Sequence, residues 1–531
     1  MDNKTITIFK KPYFCTKFIT EVKEQKYNIL QPLILSVAIA IGMLIGFKSN
    51  GSMDRSFLRF NNEEKSLRPA HLDNVMRLIE SNYLFDPDYK EITNSILYSL
   101  SENLDPYSAY IPPSHFNEVQ NSLNARYIGL GIYSQKFNDS ILIVEILKGS
   151  PAEKSGLKTL EKILSINNKN VSKMTNEQIS REFEKSLGKK IQITISDRSF
   201  NKKMLNIMVD SVEANTVNRQ FLYPNSTLYV GLSQFSNHTY SELYELIDKY
   251  AKNNKLNHLI IDLRDNPGGY LQEVVKILDQ LFDKSGLTLV ETVYKDGRRD
   301  IIKTTGRNFF EIKNVSVLIN NYSASGSEVL AGAVQDHDRG IVIGTPSFGK
   351  GLVQDQYDLF NGGALRLTVA NYFLPTGRSI QKNIEFPNAV KTKKLYLSQD
   401  TFRSLVLNRP LISGRGVEPD IILDDTIFNK VRQFVNENES AIINKIAEYL
   451  SDNPNVIHLP AHQIEDIDFL QMENPLKNLI LKHNFLDEDL LTKFIKAKMI
   501  YLIFGKAKET EFLLKFDPLV LESLKKHVLK K

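Results

Sequence analysis

The sequence predicts a multidomain α/β protein: an α/β core with an inserted β-rich module, helical N- and C-terminal regions and one N-terminal transmembrane helix. Three apolar, β-rich runs, at 258–262, 315–319 and 341–344, each end in a turn of glycine and other small residues. After the first, Leu271, Val274, Val275, Leu278 and Leu281 recur at helical spacing, and a strand feeding a helix through a tight turn is the unit of an α/β layer. A near-continuous apolar run at 29–47 has about the length that crosses a bilayer. Beyond residue 425, Phe428, Val431, Phe434 and Val435, and later Phe494, Ile495, Met499, Leu502 and Ile503, repeat at helical spacing, which demands cover for an apolar face.

Taken in order, residues 1–28 form a short tail with Lys4, Lys10, Lys11, Lys17, Lys23 and Lys26 against Asp2, Glu21 and Glu24. Positive charge before a span keeps that end cytoplasmic, so the remainder is expected in the periplasm or another extracytoplasmic space. The 29–47 run is longer than the core of a cleaved signal peptide, and Gly46-Phe-Lys-Ser49 is a poor cleavage site, so a retained anchor is expected. Residues 49–119 read as a polar linker and helices, with a turn at Leu104–Pro113; 120–212 as the β-rich module; 213–425 as the core; and 426–531 as the helical C-terminal region. The run Met499–Phe504 is too short to span a bilayer and is expected to pack in a helical tail or at a dimer contact, which leaves a homo-oligomer open.

Composition is that of a folded protein: 42% hydrophobic, 24% charged and a net charge of +5 over 531 residues, too diffuse for a nucleic-acid surface. The single cysteine, Cys15, precedes the span, which rules out an intrachain disulfide. Nine scattered histidines lack metal-ligand spacing, and no phosphate loop appears. No metal and no cofactor is expected.

Two positions carry chemistry. Ser325 follows the run Val315–Ile319 and opens the helical stretch from Gly326; a serine on a sharp turn between strand and helix presents its hydroxyl beside free backbone N–H groups. Lys350 lies between Gly349 and Gly351 after the third apolar run. A lysine amine accepts a proton near neutral pH only if burial disfavours its ammonium form, and Phe348 and Leu352 are the neighbours expected to supply an apolar pocket. Together they suggest a serine peptidase with a lysine base. Asp262–Gly269, ending in Pro267-Gly-Gly, is a third segment whose amides suit a developing negative charge, so Gly268 or Gly269 with Gly326 forms the expected oxyanion hole.

These residues resemble the C-terminal processing peptidase family, the tail-specific proteases, which use a serine-lysine dyad. The likeness rests on Asp262–Gly269, Ser323–Glu328 and Phe348–Gln354, and continues through Gly363–Tyr372, Pro375–Ile380 and Gly416–Asp420. It implies Ser325 as nucleophile, Lys350 as base and Gln354 as an uncharged partner orienting the amine. Gly326 stands where the family usually has alanine, and Asp265 where it usually has glycine. An aspartate at 265 either raises the lysine pKa, faces solvent or binds another basic group.

A Ser-His-Asp triad is the rival, drawn from Asp336, His337 and Asp338. On one helix from Ser325, Asp336 would lie about 16 Å along the axis, beyond hydrogen-bond reach. The resemblance admits Asp336 only as a supporting residue, and a helix-end cluster pairing with Arg339 is the favoured reading. Glu328, one turn from Ser325, is expected to help position the nucleophile.

Upstream, Tyr127–Ile132, with Val144–Leu157 and Ile163–Asn167, resembles a PDZ domain. That likeness implies a carboxylate-binding loop at Ile128, Gly129, Leu130, Gly131 and Ile132 and a strand edge that receives a peptide backbone. Thr159-Leu-Glu161 departs from the usual Pro-Gly-Asp. The expectation is therefore a membrane-anchored endopeptidase acting on proteins or peptides with exposed C-termini. An inactive, membrane-tethered PDZ scaffold is the competing class, opposed by the presence of both Ser325 and Lys350.

Overall fold

The computed structural model describes residues 69–198, 201–252, 256–383, 400–423, 426–469, 475–482 and 487–525. The 29–47 run and Cys15 lie outside them, and among the described residues no helix is long and apolar enough to cross a membrane. Two compact units divide at Pro87. The first contributes the helix Pro69–Asn82; everything below concerns the second.

The core is a six-stranded sheet in the order Val217–Leu222, Thr227–Leu232, His258–Asp262, Asn314–Ile319, Ile341–Gly344, Ile421–Ile422. Its first pair is antiparallel and every later pair parallel. Parallel strands are covered on both faces and so read as continuous apolar runs, which is why 258–262 and 315–319 were legible as strands. Alternate residues divide between the faces. Leu228, Val230, Leu259, Ile261, Val317 and Ile319 pack under helices Thr239–Ala251, Leu271–Asp279 and Gly326–Asp336. Tyr229, Ile260, Leu318 and Ile343 pack instead against Leu514, Leu519 and Val520 near the C-terminus. The loops at the carboxyl ends of the three central strands carry the candidate site.

A second, antiparallel sheet joins Ala109–Ile111, Ala364–Phe373, Ser285–Tyr294 and Arg299–Thr305, with Leu352–Asp358 on the other side of Ala364–Phe373. The β-rich module is an antiparallel sheet ordered Ile132–Phe137, Ser140–Ile146, Lys162–Ile166, Lys190–Ser196, Lys202–Met208. The short pair Arg126–Gly129 and Asp210–Glu213 closes its base.

Helices from Thr426 to Ser523 fill the C-terminal region. The Met499–Phe504 run belongs to the helix Glu488–Phe504, capped by Asp487 and ended by Gly505 at φ 86°; Met499, Ile500, Tyr501 and Leu502 are buried. One apolar cluster joins Phe428, Val431, Ile442, Phe494 and Leu502 of this bundle to Phe137, Leu142, Val144 and Leu160 of the module. Leu160, in the Thr159-Leu-Glu161 departure, takes φ 66°, a left-handed conformation that costs a non-glycine residue about 1–2 kcal/mol. Its burial against the bundle offsets that strain.

Candidate active site

Ser325 occupies the turn into helix Gly326–Asp336 at φ 53°, ψ −114°, a strained backbone that persists because its surroundings hold it. Each polar residue of the block ties down a neighbouring segment. Ser323 Oγ donates to Leu263 O at 2.8 Å, Ser327 Oγ to Asn266 O at 2.9 Å, and Ala324 N to Asn266 O at 3.1 Å. The serine turn and the Asp262–Gly269 loop are thereby joined at three points.

Glu328, fully buried, joins the serine turn to the lysine loop. Its Oε2 accepts from Ser325 N at 2.9 Å and from Lys350 N at 2.8 Å, while Oε1 accepts from Gly349 N at 2.7 Å and from Ser347 Oγ at 2.5 Å. One carboxylate oxygen thus brings the backbones of Ser325 and Lys350 within two hydrogen bonds of each other. Burial pushes this carboxyl up, and the donors from Ser347, Lys350, Gly349 and Ser325 offset only part of that shift.

The Lys350 amine donates to Gln354 Oε1 at 2.8 Å and lies 4.9 Å from the centre of the Tyr107 ring; Gln354 Nε2 in turn donates to Tyr107 O. Burial, then the like charge of Arg366, lowers the lysine pKa, against smaller opposing effects of Asp105 and Glu328. The expected apolar pocket is therefore built differently: Leu352 is buried, but Phe348 is 44% exposed, and the aromatic neighbour of the amine is Tyr107. The turn Leu104–Pro113 was legible only as a turn, and nothing local pointed to this contact.

Gly268 and Gly269 adopt φ 100° and 143°. A Cβ on Gly268 would stand 2.9 Å from Gly326 N, 2.9 Å from Ser325 Cβ and 2.8 Å from Ala324 O, so glycine is what lets the two loops touch. The Gly268 N–H donates to Asn266 Oδ1 at 2.9 Å, whereas among the described residues the N–H groups of Gly269 and Gly326 have no partner. A Cβ on Gly326 would stand 3.6 Å from Gly269 N, so the two donors lie close together, and a cleft of about 940 Å³ beside them is lined by Tyr107, Pro267, Ala324, Phe348 and Lys350.

One reading changes. Asp336 pairs with Arg378, not Arg339: Arg378 Nε meets Oδ1 at 2.9 Å, and Thr376 N and Oγ1 reach Oδ2 at 2.9 and 2.7 Å. Arg339 turns away to the carbonyls of Leu281, Ile312 and Lys313. Asp336 thus holds the Pro375–Arg378 turn. His337 Nε2 donates to Thr288 O at 2.6 Å, and its ring meets Phe282 edge-on; Asp338 pairs with Arg409 at 2.7 Å. None of the rival triad's members faces Ser325.

In the module, Gly131 has φ 81°, and a Cβ there would stand 2.1 Å from Ser150 Cβ. Leu147 N and Ala152 N donate to the carbonyls of Gly131 and Leu130, fixing the loop, while the N–H groups of Leu130 and Gly131 have no partner among the described residues. Ile132–Phe137 is an edge strand; Ile132 at its start, with Ile128, Ile179 and Phe183, is half-buried against the module's apolar core.

The family model of peptidase family S41 matches residues 226–390, and that of the PDZ domain residues 119–196. A carboxy-terminal-processing protease of Bartonella bacilliformis is 32% identical over 330 residues, 60% of this chain and 74% of that protein. Carboxy-terminal processing protease CtpA of Bacillus subtilis is 27% identical over 390 residues, covering 70% and 83%. A probable CtpA-like serine protease of Staphylococcus aureus is 26% identical over 410 residues, covering 72% and 82%. With a PDZ domain ahead of a core of this family, and a relative matched over three quarters of its length, the chain belongs to the carboxy-terminal processing serine proteases of peptidase family S41.

Proposed function

We propose that this serine peptidase captures the free C-terminus of a protein or peptide at the Ile128–Ile132 loop and cleaves that chain by a Ser325/Lys350 dyad, with residues 29–47 anchoring it to a membrane so that the catalytic region lies outside the cytoplasm. The observation that carries the dyad is the Glu328 carboxylate bonded to the backbones of both Ser325 and Lys350. Neutral Lys350 takes the Ser325 hydroxyl proton as Oγ attacks the scissile carbonyl carbon. The tetrahedral oxyanion accepts hydrogen bonds from Gly269 and Gly326 N–H, donors worth far more in a site that excludes water. Collapse expels the amine, which leaves with the proton held by Lys350. Water, deprotonated by the same lysine, then attacks the acyl-serine ester and frees the new C-terminus and the serine hydroxyl. Gln354 orients the amine throughout, and Glu328 aligns the two loops.

Capture at the module rests on charge. Paired, unpartnered N–H groups on a glycine loop receive a carboxylate, and an edge strand extends the sheet with the peptide backbone. A substrate with an apolar C-terminal residue and a free acid is therefore expected to be cleaved at least about tenfold more efficiently than its amidated twin, since a charge-assisted hydrogen bond is worth about 1.5–3 kcal/mol. Steady-state kcat/KM on the matched pair measures this. Equal values would contradict carboxylate capture, and tail-dependent binding with no cleavage at any pH would favour the inactive scaffold.

A further inference from the structure

The loop that carries Gly268 and Gly269 is held from a distance. Asp265 takes φ 64°, where glycine is usual in the family and other side chains are disfavoured. Its N–H donates to Asn320 Oδ1 at 3.0 Å, its Oδ1 accepts from Asn320 Nδ2 at 2.8 Å, and its Oδ2 meets Arg432 Nη1 at 3.0 Å. Arg432 lies on the helix Thr426–Glu437, which forms one wall of the cleft, and Asn429 Oδ1 accepts from its Nη2 at 3.0 Å. One residue earlier, Arg264 bonds to both oxygens of Asp517, at 3.1 and 2.6 Å, ahead of the last described helix. Two successive residues of the loop are therefore each held by a separate segment of the C-terminal region.

We infer that the C-terminal helical region positions the oxyanion hole: Arg432, acting through Asp265, fixes the loop so that Gly269 N–H stays aimed beside Gly326 N–H. The inference rests on the reading of those two amides as oxyanion donors. Glycines at φ 100° and 143° are the residues with the widest backbone freedom, whereas a catalytic donor must hold to about 0.5 Å; Phe235 N–H holds Gly268 O at 2.9 Å, and the clamp at Asp265 adds rigidity on the side from which the chain enters. Asp265 is not the charge that tunes the lysine. Those acting on the Lys350 amine are Arg366, Asp105 and Glu328, and the Asp265 carboxylate is taken up by Arg432 and Asn320. The same bundle buries Leu160, so at both Asp265 and Leu160 a side chain in left-handed backbone engages the C-terminal region.

Arg432 and Asp265 are positioning residues, and a double-mutant cycle in the full chain tests them: Arg432→Met, Asp265→Asn and the pair. Asparagine tolerates the left-handed backbone and removes only the charge. Each single variant is expected to lower kcat about tenfold, a fraction of the about 10²–10³-fold that follows removal of an oxyanion donor, with KM within about twofold. Affinity for a peptide aldehyde, whose hemiacetal oxyanion needs the hole, should fall in parallel with kcat/KM, and the double variant should be no worse than the poorer single one. Wild-type kcat in both single variants would overturn the inference. So would a loss of activity that tracks the fraction unfolded while aldehyde affinity of the folded protein is unchanged. Cleavage that survives Ser325→Ala would overturn the site assignment itself, and the clamp with it.

Discussion

Lys350→Ala is expected to lower kcat by about 10⁴-fold or more, the range seen when one member of a nucleophile-base unit is removed, while the folded protein loses no stability. The amine is half-buried with a lowered pKa, so its charged form is disfavoured in the fold, and removing it relieves a cost. The Lys350 loop itself is held by backbone bonds to Glu328 from Gly349 and from residue 350, which alanine retains. His337→Ala should show the reverse. It breaks the contact with Thr288 O and costs about 1–3 kcal/mol of stability, yet leaves kcat of the folded fraction near wild type. Steady-state kinetics beside thermal melts separate the two effects; a dead His337→Ala with an active Lys350→Ala would contradict the dyad.

Asp517→Ala is expected to be among the most destabilising single changes in the chain. Arg264 is almost fully buried between Asp262 and Asp517, with ion pairs of 2.7 and 2.6 Å. Tyr229 donates to Asp262 at 2.6 Å, and Arg219 approaches the same carboxylate at 3.5 Å. Burial would raise the Asp262 carboxyl, but Arg264 and Arg219 hold it well below the usual carboxylate range. Losing Asp517 leaves the buried Arg264 guanidinium and the half-buried Arg219 facing one carboxylate, which costs about 3–5 kcal/mol, plus about 1 kcal/mol for the helix cap that Asp517 makes to Leu519 and Val520 N. Asp517→Asn retains a cap and should recover about that last part alone. Urea midpoints of the three proteins measure this, and a shift under about 1 kcal/mol for Asp517→Ala would mean the network does not carry the load assigned to it.

The contrast between these sites explains what the sequence made legible. The turn at Ser325, the glycine-flanked Lys350 and the Pro267-Gly-Gly loop are local patterns, each set by the end of an apolar strand, and Glu328 lies one turn from Ser325. Partners far along the chain left no such trace. Tyr107 reaches Lys350, Arg432 reaches Asp265 and Asp517 reaches Arg264 because separate layers pack together, and no periodicity records that. Sequence proximity misled at Asp336, whose neighbour Arg339 caps carbonyls after the helix ends, leaving the ion pair to Arg378. Phe348 was expected beside the amine for the same reason and instead lines the open cleft.

The activation of Ser325 by the neutral form of Lys350 is tested most directly by the rate at which a fluorophosphonate labels the serine, measured against pH. Because burial lowers the lysine pKa, the reactive neutral amine gains population as pH rises. Labelling should therefore increase about tenfold per pH unit and level off around a midpoint below the about 10.4 of an exposed lysine. It should be confined to Ser325, vanish in Ser325→Ala and stay low and flat in Lys350→Ala. Labelling of Lys350→Ala at the wild-type rate, or a wild-type profile independent of pH, would contradict the account.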